Sequence, residues 1–68
     1  MDLNKLLFEL INQEGTSTTE IASELKITEH RFSEWKSRNR NIKFSKLEEI
    51  ADYLGYTIEI QFHKKSAN

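Results

Sequence analysis

A chain of 68 residues has room for one domain with one modest hydrophobic core. It contains no cysteine, which excludes a disulfide framework and a thiolate metal site, and its apolar runs fall short of the roughly 20 residues that a membrane span requires. The formal net charge is −1, yet residues 26–46 carry seven basic and two acidic side chains, a local charge of +5. This distribution favours one side that faces a polyanion, although solvated surface charge would give the same pattern.

The first part of the chain predicts an amphipathic helix. Apolar residues at positions 3, 6, 7, 10 and 11 have the spacing of one helical stripe. Asp2 can cap the start of this helix, and Gly15 can end it by adopting the left-handed conformation. The N-terminus has neither the basic region nor the small-residue cleavage site of a secretory signal. We therefore expect a cytoplasmic protein.

Two short helices are predicted next. Ser17 and Glu20 have the spacing of a capping box and are followed by a short apolar stripe. Thr28 is a good N-cap for a further helix, in which Phe32 and Trp35 share the core face. A core role for Trp35 is favoured over a base-stacking role because of this spacing. Two short helices joined by a tight turn predict a helix-turn-helix.

A fourth helix is predicted after an aperiodic turn over residues 38–41. Ser45 and Glu48 have the spacing of a second capping box, and the apolar residues that follow recur at helical intervals. Gly55 can stop this helix.

The C-terminal segment changes to an apolar period of two, which predicts a strand over residues 56–62. Such a lone strand can fold back on its own domain, wait for a different protein, or pair with a second copy, and we favour the second copy. The expected fold is mainly α: four short helices with a helix-turn-helix in a single domain over residues 1–63, one strand that pairs across a homodimer, and a disordered tail at 64–68. The side chains expected to form the dimer interface are Tyr56, Ile58, Ile60 and Phe62.

Several short motifs between the second and fourth helices occur together in a spacing that is similar to that of a known family. They are Ser17-Thr18, Ile21-Ala22, Leu25, Lys26-Ile27-Thr28, Phe32-Ser33, Trp35, Lys46-Leu47-Glu48 and Ile50-Ala51-Asp52-Tyr53-Leu54-Gly55. In this spacing the chain resembles the lambda-repressor-like, or XRE-type, helix-turn-helix family. It departs from the family pattern at Lys26 and Arg38, which stand where the family has turn and loop glycines, and at Lys36, which replaces an acidic residue.

The resemblance implies that helix 29–37 enters the major groove of double-stranded DNA. The residues that it places at base edges are Glu29, His30, Ser33 and Glu34. The residues that it places at phosphates are Ser17, Thr18, Arg31, Ser37, Arg38, Asn39, Arg40 and Lys43. Carboxylates at the groove can accept a hydrogen bond from cytosine but are repelled by phosphates, so two acidic residues on this helix also suit a surface that does not meet DNA.

Two functions follow from these residues. The favoured one is a sequence-specific transcriptional regulator, a repressor, that binds double-stranded DNA as a homodimer. The alternative is a protein-binding module on the same fold, such as an antitoxin or an anti-repressor adaptor, whose partner is a toxin or a repressor protein. The ending of the chain is similar both to Cro-type phage regulators and to HigA-like antitoxins and does not decide between them.

An enzyme is not expected from this sequence. It has no cysteine nucleophile, no paired carboxylates in a predicted pocket and no glycine-rich phosphate loop. His30 and His63 are far apart and have no companion ligands, so no metal site, and no cofactor or small-molecule substrate, is expected.

Overall fold

The structure is a computed structural model and describes residues 2–65. The helices are α1 (Leu3–Glu14), α2 (Thr18–Leu25), α3 (Glu29–Ser37) and α4 (Phe44–Tyr53). α1 packs against α3 and α4, and α2 packs against α3. The predicted four-helix arrangement with a helix-turn-helix formed by α2 and α3 is therefore confirmed.

One hydrophobic core joins the four helices. Phe32 and Trp35 lie at its centre, each 2% exposed, and their rings meet edge to face with centroids 5.1 Å apart and an interplanar angle of 82°. This geometry suits the quadrupoles of two aromatic rings and confirms the core role predicted for Trp35. The other buried apolar residues are Leu7, Ile11, Ile21, Ala22, Ile27, Ile42, Leu47, Ile50 and Ala51.

Three of the predicted helix starts are formed by side-chain caps. The side chains of Asp2, Ser17 and Thr28 each accept a hydrogen bond from the backbone N–H three residues later. The capping box at α2 is only half formed, because the Glu20 carboxylate accepts a hydrogen bond from the Thr16 hydroxyl at 2.7 Å. Each cap satisfies a backbone donor that the helix itself leaves free.

The fourth helix begins at Phe44, close to its predicted start, but the capping box predicted for it is wrong. Lys43 is the N-cap, with no side-chain hydrogen bond, and Ser45 lies inside the helix and does not cap it with Glu48. The physical reason is tertiary: the preceding residue, Ile42, is buried, and its backbone N–H donates to the Asn4 side chain at 2.9 Å. That anchor fixes where the chain can turn into the helix.

The buried face of α1 also differs from the predicted stripe. Leu7 and Ile11 are buried as expected, but Leu6 is 40% exposed, while Asn4 is only 4% exposed. Phe8 is half-buried against the core. Because α1 packs against both α3 and α4, its buried side is turned toward Asn4 and away from Leu6.

The segment after α4 leaves the helical core. Gly55 takes a φ of 89°, which a residue with a side chain rarely adopts, and residues 56–65 have no regular secondary structure. The strand predicted over 56–62 is not formed within residues 2–65, since a single chain offers it no ladder partner; the dimer pairing stays a prediction. Part of the predicted tail, residues 66–68, lies outside the described residues. Among residues 2–65, every helix is too short or too polar to cross a membrane.

Candidate nucleic-acid interface

The turn between α2 and α3 is built from local signals in the sequence. Lys26 ends α2 in the left-handed conformation, with φ 56° and ψ 41°, and its backbone N–H donates to the Ala22 carbonyl. Ile27 then enters the core, and the Thr28 hydroxyl accepts a hydrogen bond from the Arg31 N–H at 3.2 Å. One buried apolar residue between two caps therefore sets the entry of α3.

α3 presents a polar face because only Phe32 and Trp35 of its residues are buried. Glu29, Ser33 and Lys36 recur at helical spacing and are exposed, and they line the same groove. The groove is open, about 830 Å³ in volume, and lies between α3, one side of α1 and the start of α2. The groove is also lined by Ser17 and Thr18 at the N-terminus of α2, a position that suits an anion.

Lys5 and Lys36 are groove residues that the sequence interpretation did not include among the DNA contacts. Lys36 could have been found, because it lies one turn beyond Ser33 on the same face of α3. Lys5 could not, because only the packing of α1 against α3 brings it to this side. Together with Arg38 they give the groove three cations.

The Glu29 carboxylate joins the two helices of the motif. Its Oε1 accepts a hydrogen bond from the Thr19 hydroxyl at 2.6 Å. This contact fixes one rotamer of Glu29 at the N-terminus of α3, where a negative charge also interacts favourably with the helix dipole. A carboxylate held in one position can present its remaining lone pairs in a defined direction.

Glu34 differs from the other residues predicted at base edges. Its side chain is 26% exposed and lies 3.7 Å from His30 Nε2 and 3.6 Å from Arg40 Nε. Its backbone carbonyl accepts hydrogen bonds from the N–H groups of Asn39 and Arg40. Glu34 therefore contacts the loop that follows α3 through both its side chain and its backbone.

The basic loop, defined here as residues 38–42, carries two arginines that are paired with carboxylates. Arg38 donates to Asp2, the N-cap of α1, and this hydrogen bond lowers the pKa of the Asp2 carboxyl below its ordinary value of 3.8. Arg40 lies beside Glu34. The side chains of both arginines remain more than half exposed. Exposed pairs of this kind contribute little to stability, so a phosphate can replace the carboxylate at small cost.

The other residues predicted at phosphates are accessible. Arg31, Ser37, Asn39 and Lys43 are exposed. The Ser37 hydroxyl donates to the carbonyl of Glu34 at 3.2 Å. Lys43 stands at the start of α4, on the far side of the basic loop from α3.

Asn4 is the residue that sequence interpretation missed altogether. Its Nδ2 donates to the carbonyls of Trp35 at 2.8 Å and Arg40 at 2.9 Å, and its Oδ1 accepts from Ile42 N–H. No local pattern marks it, because its partners lie 31, 36 and 38 residues away along the chain.

The predicted dimer residues lie in the segment after α4, and three of the four are exposed. Phe62 is 94% exposed, Ile60 42% and Tyr56 39%, whereas Ile58 packs partly against the core. The Tyr56 hydroxyl donates to the Glu14 carboxylate at the end of α1, and this contact raises the pKa of Tyr56. Tyr56 thus anchors the start of the segment to the helical body.

No group of three or more acidic or histidine side chains among residues 2–65 is arranged to hold a metal ion. The comparison with protein families matches residues 7–59 to the model described as a Cro/C1-type HTH DNA-binding domain. Neither curated proteins nor solved structures gave a significant match.

Proposed function

The chain belongs to the Cro/C1-type helix-turn-helix DNA-binding family, and from that premise we propose that it is a sequence-specific repressor that binds double-stranded DNA as a homodimer. The observation that carries the proposal is the exposed polar face of α3, bordered by the N-terminus of α2 on one side and by the basic loop on the other. This is the arrangement by which a helix can enter the major groove while its neighbours hold the two phosphate backbones.

We assign base contacts to Glu29, His30 and Ser33, which are exposed on the first two turns of α3. A carboxylate can accept from cytosine N4, and a serine hydroxyl can donate or accept. Thr19 holds the carboxylate of Glu29 in place, which reduces the entropy lost when it meets a base. Glu34 is assigned a supporting role, because its carboxylate is directed at Arg40.

We assign phosphate contacts to the polar and basic groups that surround this face. The N–H groups at the start of α2 suit an anion, and the arginines of the basic loop can exchange their carboxylate partners for phosphates. Lys36 joins this set because it lines the groove beside Ser33. The residues assigned from the sequence are Ser17, Thr18, Arg31, Ser37, Arg38, Asn39, Arg40 and Lys43.

The homodimer is proposed to form through residues 56–62. The support is the exposure of Tyr56, Ile60 and Phe62 in a segment whose backbone has no ladder partner within residues 2–65. Antiparallel pairing with the same segment of a second copy would supply those hydrogen bonds and cover the apolar side chains. It would also place two recognition helices on successive major grooves, about 34 Å apart. A dimer bound in this way would repress a promoter that overlaps its site.

The test is the selection of duplexes from a random pool by the wild-type protein and by Glu29→Gln. We expect the wild type to enrich a near-palindromic site and Glu29→Gln to enrich a different one, because an amide donates as well as accepts hydrogen bonds. A base discriminated by such a contact is worth about 1–3 kcal/mol. Asp52→Asn, an exposed carboxylate-to-amide change on α4, is the matched control and should enrich the wild-type site. Enrichment of the same site by all three proteins would show that Glu29 does not contact the bases.

A second candidate function is supported by the same C-terminal segment. A strand of a different protein could pair with residues 56–62 and cover Phe62, as expected of an antitoxin or an anti-repressor adaptor. Enrichment of no sequence from the random pool, even at low salt, would favour this protein-binding module over the repressor.

A further inference from the structure

Asn4 is the one polar or charged residue that is buried among residues 2–65. A buried side-chain amide is costly unless it is hydrogen-bonded. Here both N–H groups of Nδ2 donate, to Trp35 O and Arg40 O, and Oδ1 accepts from Ile42 N–H. These partners also fix the orientation of the amide, because two carbonyls require its nitrogen and one N–H requires its oxygen.

The three backbone partners of Asn4 lie at the end of α3, in the middle of the basic loop and just before α4. The Trp35 carbonyl belongs to the last turn of α3, where it also accepts a hydrogen bond from the Arg38 backbone N–H. The Arg40 carbonyl lies at the centre of the basic loop, and Ile42 is the buried residue that closes it. One side chain on α1 therefore sets the loop against the end of the recognition helix.

The two arginines of the loop depend on the backbone position that Asn4 sets. Arg40 N–H donates to the Glu34 carbonyl while its carbonyl accepts from Asn4, so both sides of the residue are held. Arg38 is attached to the same end of α1, through Asp2. A loop held in this way can present its guanidinium groups without ordering a flexible backbone when DNA binds, and that ordering would otherwise reduce affinity.

We propose that Asn4 is a positioning residue for DNA binding, which holds the basic loop so that Arg38 and Arg40 meet the phosphate backbone. The inference rests on the proposed function and adds to it a residue that touches no DNA. Asn4 acts through the loop, so its effect on DNA binding is separable from its effect on folding.

The experiment compares Asn4→Ala with Ile50→Val, a core change on α4 that lowers stability without altering a loop contact. Urea unfolding first establishes conditions in which both variants are folded. Amide hydrogen exchange then reports the loop without DNA. In Asn4→Ala we expect the Ile42 amide to exchange faster while the core amides change less. In Ile50→Val we expect the exchange of loop and core amides to rise together.

DNA affinity is measured under the same conditions on the selected duplex. We expect Asn4→Ala to weaken binding about tenfold, the change that corresponds to about 1.4 kcal/mol, and Ile50→Val to leave it nearly unchanged. In a background of Arg38→Ala and Arg40→Ala, Asn4→Ala should cost nothing further, because the groups it positions are gone. Should Asn4→Ala fail to fold, Asn4→Ser takes its place, because the serine hydroxyl and a bridging water can satisfy some of the three backbone partners of Asn4.

Three results would overturn the inference. The first is an Asn4→Ala protein whose loop amides exchange faster while its DNA affinity is unchanged. The others are an unaltered exchange rate of the Ile42 amide in Asn4→Ala, and an equal loss of affinity when Asn4→Ala is added to Arg38→Ala and Arg40→Ala. A wild-type protein that binds no DNA is a different result. It would refute the proposed function, and the exchange data would then show only how Asn4 supports the loop.

Discussion

Lys26 stands in the left-handed conformation at the turn of the helix-turn-helix, with φ 56° and ψ 41°. For a residue with a Cβ atom this conformation costs about 1–2 kcal/mol relative to the right-handed region. Glycine avoids that cost, but it also loses more conformational entropy on folding, by about 0.4–1 kcal/mol. We therefore expect Lys26→Gly to raise the free energy of unfolding by about 0.5–1 kcal/mol.

The assay is urea unfolding followed by circular dichroism, with thermal unfolding as a second measurement. For a domain of this size, 1 kcal/mol corresponds to roughly 4–8 °C in Tm, so the expected rise is about 2–8 °C. Lys26→Ala is the first control, because it removes the same charge and keeps the strained backbone; it should give no comparable gain. Lys36→Gly is the second, because this residue lies inside α3, where glycine should cost about 1 kcal/mol.

A Lys26→Gly protein that is less stable than the wild type would refute the reasoning. So would equal gains for Lys26→Gly and Lys26→Ala, since the effect would then come from the charge and not from the backbone.

Two further predictions concern binding and assembly. Arg38→Ala and Arg40→Ala should each weaken binding to specific and random duplexes alike and reduce the slope of log K against log salt by about one. Lys64→Ala is the control and should leave the slope unchanged. An unchanged slope for either arginine variant would show that this arginine does not contact the phosphates. Ile60→Asp should convert a homodimer to a monomer in analytical sedimentation, because a charge would enter the proposed apolar face, while Gln61→Asp on the alternate face should leave the mass unchanged. A wild-type protein that is already monomeric at micromolar concentration, yet binds a palindromic site, would contradict the dimer proposal.

The parts of the fold that the sequence predicted correctly depend on short-range signals. Ser17 and Thr28 cap helices through hydrogen bonds to residues three positions away, and Gly15 ends α1 with a φ of 67°. The spacing of Phe32 and Trp35 placed both rings in the core. Such signals need no knowledge of the tertiary structure, which is why the helix-turn-helix could be delimited from the chain alone.

The parts that sequence reasoning missed depend on contacts between distant residues. Asn4 looks like an ordinary polar position near a helix start, yet it is buried by α3 and by a loop more than 30 residues away. The same side chain anchors Ile42 just before α4, where Lys43 and not Ser45 is the N-cap. For the candidate site, the basic excess over residues 26–46 and the family resemblance pointed to the arginines of the basic loop, but the pairing of Arg38 with Asp2 required the packing of α1.

The two non-glycine residues with positive φ among residues 2–65 are Lys26 and Arg38, and both are cations. Each ends a helix of the motif, so each stands where a glycine would relieve strain. A glycine at either position would remove a positive charge from the segment that supplies the chain's excess of basic residues. For a chain with an acidic remainder, each such charge favours approach to DNA. Relief of backbone strain is why Lys26→Gly is expected to stabilise the fold, and a glycine at Arg38 would exchange the proposed phosphate contact for stability.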